Sequence, residues 1–168
     1  MTVCDTDKSA IKALGSILDV KQAIVGSVHL NKFHIENKFD LIWVGSLFTH
    51  VDDDYAQQLI TFLSKHLNDN GVVVFTYHGE YVANRIKTRE KMYHLDDERA
   101  NSIINQYDHS GYGFSEYPNQ KDYGISIAKT KNVLELIKSA NNLDDIYFKD
   151  RGWVNHQDVA AFIKRSEK

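Results

Sequence analysis

The sequence has one cysteine and one proline in 168 residues. A lone Cys4 excludes an intrachain disulfide and a thiolate metal cage, and it fits a reducing compartment. Its apolar setting at the N-terminus points to a buried structural thiol. No apolar run approaches the roughly 20 residues of a membrane-spanning helix. The start, MTVCDTDKSA, has neither the basic region nor the apolar stretch of a secretion signal. The expectation is a soluble cytoplasmic protein without a membrane partner. An excess of positive charge is missing too: 20 basic residues are interspersed with 23 acidic ones, for a net charge of -3. No stripe is available to neutralise a phosphate backbone, which argues against a nucleic-acid partner. The eight histidines show no i, i+4 pair around a glutamate, so no metal site is expected.

Neither repeats nor linkers break the chain, and its length suits one domain over residues 1–168. Short β-branched or aromatic runs alternate with segments of helical period, the pattern of an α/β fold with a parallel sheet covered by helices. Residues 2–4 look like a strand tail, followed by a helix capped by Asp7 with Ala10, Ile11, Leu14, Ile17 and Leu18 on its apolar face. Ala23 to Val25 is a short second strand. FDLIWV, from Phe39 to Val44, is almost continuously apolar and is expected at the centre of the sheet. Asp52, Asp53 and Asp54 open a helix carrying Ala56, Leu59, Ile60, Leu63 and Leu67. A turn over Asn68 to Gly71 then leads into the strand Val72 to Phe75. Residues 79–124 change pattern, with one clear helix through Ala100, Ile103, Ile104 and Tyr107 and then a loop, and suggest a lid-like insertion. Thr130 is a candidate helix cap, and the segments around Ile146 to Phe148 and Val159 to Ile163 suggest a final hairpin.

In an open parallel sheet, ligands bind beyond the carboxyl ends of the strands. The residues there are Asp5, then Gly26 and Ser27, then Gly45 to His50, then Thr76 to Glu80. A carboxylate in such a place can accept both hydroxyls of a ribose, so Asp5 is either a ribose ligand or a second helix-capping group beside Asp7. Five aromatic residues of the 79–124 region and its end, Tyr107, Tyr112, Phe114, Tyr117 and Tyr123, either shape an acceptor pocket or pack the core. Residues Trp153 to Asp158 form a dense polar and aromatic turn whose role reads mainly as structural.

Taken in order, FDLIWVGSLFTHVDDD, LNDNGVVVFTYHGE and the opening VCDTDKSAI resemble the fourth-strand, fifth-strand and second-strand motifs of class I S-adenosylmethionine (SAM) dependent methyltransferases. GYGFSEY, YGISIA and RGWVNHQDVAAF resemble the later part of a bacterial subgroup of that family. The resemblance implies a Rossmann-like sheet, mostly parallel with a C-terminal antiparallel hairpin, SAM as cofactor, and a small-molecule or glycan-like acceptor. It implies that Asp5 binds the ribose, that Thr6 lies beside the adenine, and that Ser27 and Val28 approach the adenine edge. Gly45 and Ser46 would face the methionine portion. His50 would act as general base on an acceptor hydroxyl or amine, unless it only satisfies a helix start or packs on the sheet.

One departure stands out against that resemblance. The family's first strand and its GxGxG loop have no counterpart; the only GxG, Gly111 to Gly113, lies far downstream. The expectation is a domain that begins at the family's second strand, with two strand edges left to be covered. More chain, a strand from a second copy in a homodimer, or closure of the edges on each other would each cover them. The rival to an enzyme is a non-catalytic interaction module that keeps the fold. A nucleotide-sugar or nicotinamide enzyme ranks last for want of a phosphate-cradling loop.

Overall fold

The computed structural model describes residues 1–140 and 142–166, which divide into two compact units, 1–36 and 37 onward. In the first unit the Asp7 carboxylate accepts the N–H groups of Ser9 at 2.7 Å and Ala10 at 3.3 Å, donors that a helix start otherwise leaves open. The helix α1 (Lys8–Ile17) thus begins immediately after β1 (Thr2–Asp5) and returns the chain to β2 (Gln22–Val25). The two strands pair in parallel, with Cys4 opposite Ile24 and Asp5 opposite Val25. Two expectations are corrected here. Cys4 is exposed rather than buried. Ile17 is 76% and Leu18 40% exposed, and only Ile11 of the helix is buried. Two strands of four residues are too short a ribbon to cover the last turn of α1.

The second unit opens with β3 (Phe39–Val44), α2 (Asp53–Lys65) and β4 (Leu67–Tyr77), and β3 and β4 are parallel. Asp52 caps α2 by accepting the Tyr55 N–H at 2.7 Å, while Asp53 and Asp54 place negative charge in its first turn. The sheet order is β3-β4-β8-β7, where β7 (Leu143–Trp153) and β8 (Gln157–Lys164) form the expected C-terminal antiparallel hairpin and β8 also pairs antiparallel with β4. β3 is therefore an edge strand of this sheet, not its centre, and Leu41 is 63% and Trp43 47% exposed. An apolar run states what a strand can bury, not how many neighbours it has. Trp43 packs instead on Trp153, ring centroids 4.9 Å apart. The turn expected at Asn68 to Gly71 is a bulge inside β4: pairing passes from Phe39 with Leu67 to Leu41 with Val72, and Asn70 takes a left-handed φ of 62°.

Between β4 and the hairpin the chain forms more structure than its pattern suggested. α3 (Glu80–Lys87) precedes the expected helix, α4 (Asp97–Ser110), which Asp96 caps at one end and Gly111, at φ 87°, closes at the other. The stretch expected as loop contains β5 (Tyr112–Glu116), which pairs antiparallel with β6 (Gly124–Ala128). α5 (Thr130–Ser139) then starts with Lys129 in the cap position rather than Thr130, whose hydroxyl faces that of Tyr77 at 3.5 Å. The fold is thus mixed α/β. One core lies where α2 and α5 cover the sheet, around Ile60, Val73, Phe75, Ile137 and Phe162. A second joins α3, α4 and β6 through Val82, Ile86, Ile103 and Ile125.

Gly79 links β4 to α3 at the closest approach in this unit, where an added Cβ would overlap the Asp158 carboxylate. The carboxylate also accepts the Arg151 N–H at 2.8 Å, so it is not free to swing away. Gly79→Ala is expected to cost about 1–3 kcal/mol in urea denaturation of the chain, the usual scale of overpacking.

Candidate functional site

At the end of β1, Asp5 Oδ1 accepts the N–H of Asp7 at 2.8 Å. This braces the turn before the helix cap and is not itself a bond to the helix. The other carboxylate oxygen makes no hydrogen bond among the described residues, and the side chain is exposed. Thr6, the next residue, is also exposed. The Gly26 N–H donates to the Asp5 carbonyl at 2.8 Å, which holds the ends of β1 and β2 side by side for one residue more. Ser27 Oγ accepts the His29 N–H at 3.1 Å and keeps its own proton to donate. Val28 is 60% exposed. The first unit therefore collects four of the expected residues, Asp5, Thr6, Ser27 and Val28, at adjacent strand ends. Their chemistry fits a nucleoside: an open carboxylate oxygen for a diol, a hydroxyl donor, and an apolar side chain for a base.

The second unit holds the other three, Gly45, Ser46 and His50, in the turn after β3. Ser46 takes a left-handed φ of 57°, and its N–H donates to Thr76 Oγ1 at 2.8 Å. Thr76 in turn donates to Gln157 Oε1 at 2.6 Å, and Gln157 Nε2 reaches Ser46 Oγ at 3.0 Å. The hydroxyl of Ser46 is thus engaged by Gln157, a residue that sequence reasoning left as part of a structural turn. No local signal marks this bridge, because it depends on β8 returning beside β4. Gly45, by contrast, presents only backbone at the strand end.

The rest of this turn is held in place by β6. The N–H groups of Gly124, Ser126 and Ala128 donate to the carbonyls of His50 (3.1 Å), Thr49 (2.9 Å) and His78 (2.8 Å). The Ser126 hydroxyl adds a bond to Phe48 O at 2.7 Å. His50 Nδ1 lies 2.7 Å from the Gly124 carbonyl. A carbonyl only accepts, so Nδ1 carries a proton, and in the neutral tautomer the lone pair falls on Nε2. Tyr123 stacks on the imidazole at 4.9 Å and Tyr117 flanks it at 6.0 Å. The side chain of His50 does not cap α2; Asp52 does. Of the five candidate aromatic residues, only these two stand beside His50. Tyr107 and Tyr112 are buried, and the Tyr112 hydroxyl donates to Val51 O at 2.9 Å.

His78, at the end of β4, is buried with Nδ1 3.2 Å from the Ser126 carbonyl. Burial above all, and then the neighbouring His156, push its pKa down to about 3.

No protein-family model and no curated protein matches the sequence. Solved structures do match in fold. A SAM-dependent methyltransferase from Methanosarcina mazei superposes with a TM-score of 0.62 at 14% identity, over 99% of this chain and 82% of that one. The N-methyltransferase NodS of Bradyrhizobium japonicum gives 0.56 at 15%, over 98% and 73%. The 1,6-didemethyltoxoflavin N1-methyltransferase of Burkholderia thailandensis, solved with that compound and S-adenosylhomocysteine, gives 0.58 at 13%, over 98% and 61%. The chain has the SAM-methyltransferase fold.

The depressed pKa of His78 makes stability depend on pH in one direction. Above its ordinary value of 6.5 the ring is neutral in both folded and unfolded chains and contributes no pH dependence. Between 6.5 and about 3 only the unfolded chain takes up the proton, so stability drops as the pH is lowered, by up to about 1.4 kcal/mol per pH unit. Urea denaturation at pH 7, 5.5 and 4.5 should show this slope, and His78→Gln should flatten it.

Proposed function

We propose that this chain is a SAM-dependent methyltransferase of the cytoplasm that acts on a small-molecule or carbohydrate-like acceptor. The observation that carries the reading is His50: on a fold whose ligands lie at strand ends, its Nδ1 is tied to the Gly124 carbonyl, its ring stands beside Tyr117 and Tyr123, and its Nε2 has no hydrogen-bond partner among the described residues. Asp5, with Thr6, Ser27 and Val28, would hold the nucleoside part of the cofactor, the carboxylate taking the ribose hydroxyls. Gly45 and Ser46 would line the methionine portion, Gly45 through backbone alone. Bound SAM supplies a methyl carbon made electrophilic by its positively charged sulfur. His50 Nε2 would take the proton that the acceptor hydroxyl or amine must lose on methylation. The Gly124 carbonyl fixes the imidazole tautomer, which leaves Nε2 in place without rearrangement. The two tyrosines are contributed by the 79–124 segment, in keeping with its reading as a lid over the acceptor.

Calorimetric titration of the chain with S-adenosylhomocysteine tests the cofactor site. Saturable binding is expected, weakened at least about tenfold in Asp5→Ala. A folded sample that binds nothing would favour the rival, a non-catalytic interaction module on the same fold. For an acceptor that must lose a proton, His50→Gln should lower kcat by about 10²–10⁴ and leave S-adenosylhomocysteine affinity unchanged.

A further inference from the structure

The turn that joins β7 to β8 places His156 at the meeting point of three rings. Its imidazole centroid lies 5.5 Å from that of His78, 5.7 Å from Tyr93 and 5.9 Å from Tyr81. Cations surround this aromatic surface: Arg151 and Arg85 stand over Tyr81 at 5.1 and 5.5 Å, and Lys91 over Tyr93 at 5.0 Å. Carboxylates stand nearby as well, Asp150 and Glu80 close enough to act on Asp158. Glu90 contacts Arg85 Nε at 2.9 Å, and the buried Asp158 takes the backbone N–H of Arg151. Among the described residues, neither Lys91 nor the Arg151 guanidinium is ion-paired with a carboxylate. At His156, burial lowers the pKa first, and Lys91 and Arg85 lower it further. A chain with net charge -3 thus sets three cations against one group of rings, two of them without a carboxylate partner among the described residues.

Backbone strain goes into building it. Tyr93 and His94 are consecutive left-handed residues, φ 49° and 67°, inside a turn closed by Leu95 N–H to Met92 O at 2.8 Å. Such a turn favours asparagine and glycine over bulky residues. The result is that adjacent side chains part. Tyr93 joins His78 and His156, whereas His94 meets Tyr117 edge-on at 6.2 Å, and Tyr117 flanks His50. One turn connects the cationic surface to the proposed catalytic imidazole.

We propose that Arg85, Lys91 and Arg151, set around the rings of Tyr81, Tyr93 and His156, bind an anionic group of the acceptor, a carboxylate or phosphate. Arginine presents a planar fork suited to either oxyanion, and the rings hold the guanidinium groups by cation–π contact while offering a face to an aromatic or sugar ring. The proposal deepens the methyltransferase reading, on which the acceptor's identity as the ligand rests; the anion-binding surface itself does not depend on it.

Titration of the whole chain with benzoate, phenyl phosphate and uncharged benzyl alcohol, monitored by NMR of the histidine rings, tests this directly. At least one anion should shift His156 saturably and bind at least about tenfold more tightly than benzyl alcohol. The exposed pair Lys91→Gln and Arg151→Gln, combined in one folded variant, should weaken that anion at least about tenfold. Equal binding of benzyl alcohol, no saturable shift with either anion, or an unchanged affinity in the double variant would overturn the proposal. The two anions distinguish carboxylate from phosphate. A chain that binds them but not S-adenosylhomocysteine would keep the anion surface and sink the methyltransferase reading.

Discussion

The free edge of β6 is the constraint on which the second unit depends. One edge of that strand pairs with β5, and the other donates three N–H groups in succession to the ends of two different segments, the turn after β3 and the end of β4. Unpaired backbone donors in a buried strand are costly, so these bonds dictate where Thr49, His50 and His78 must lie. The Gly124 and Ser126 carbonyls do the same for side chains: each takes an imidazole Nδ1–H, from His50 and His78 respectively. A five-residue strand thereby orients two histidines and sets the tautomer of both.

The same geometry gives the two rings opposite environments. His50 lies against tyrosines in a half-buried position, whereas His78 is enclosed and kept neutral across the physiological range. Neutrality matters beside the cationic surface, since a charged His78 would repel Lys91. Asp158 completes the arrangement on the other side. Its carboxylate fills the space that Gly79 leaves open and ties down the backbone of Arg151.

Much of this architecture was legible in the residues. Asp7, Asp52 and the periodic apolar positions of α2 mark helix starts and buried faces, because caps and amphipathic periods are local properties. The order of motifs located the strand ends, and with them His50 and Asp5. What was not legible is what depends on neighbours far away in sequence. FDLIWV reads as a central strand, yet only pairing decides whether a strand has one neighbour or two. The strands β5 and β6 are poorly marked in the sequence, since YGFSE has no β-branched residue and both YGFSE and GISIA carry glycine and serine. Gln157 carries no mark of its bridge to Ser46 and Thr76, because the bridge arises only when β8 lies against β4. Likewise nothing in a Tyr-His dipeptide announces two left-handed residues.

That dipeptide bears on how the protein can be altered. The backbone of Tyr93 and His94 would suit residues at ease in a left-handed turn, Asn-Gly foremost. The relief of backbone strain would be set against the packing that Tyr93 makes on the second core, and both rings would go at once, cutting the ring contacts between the cationic surface and His50. Backbone ease and the proposed anion recognition thus compete for the same two positions, so a hardened variant of this chain should be screened for ligand binding before its stability is taken as an improvement.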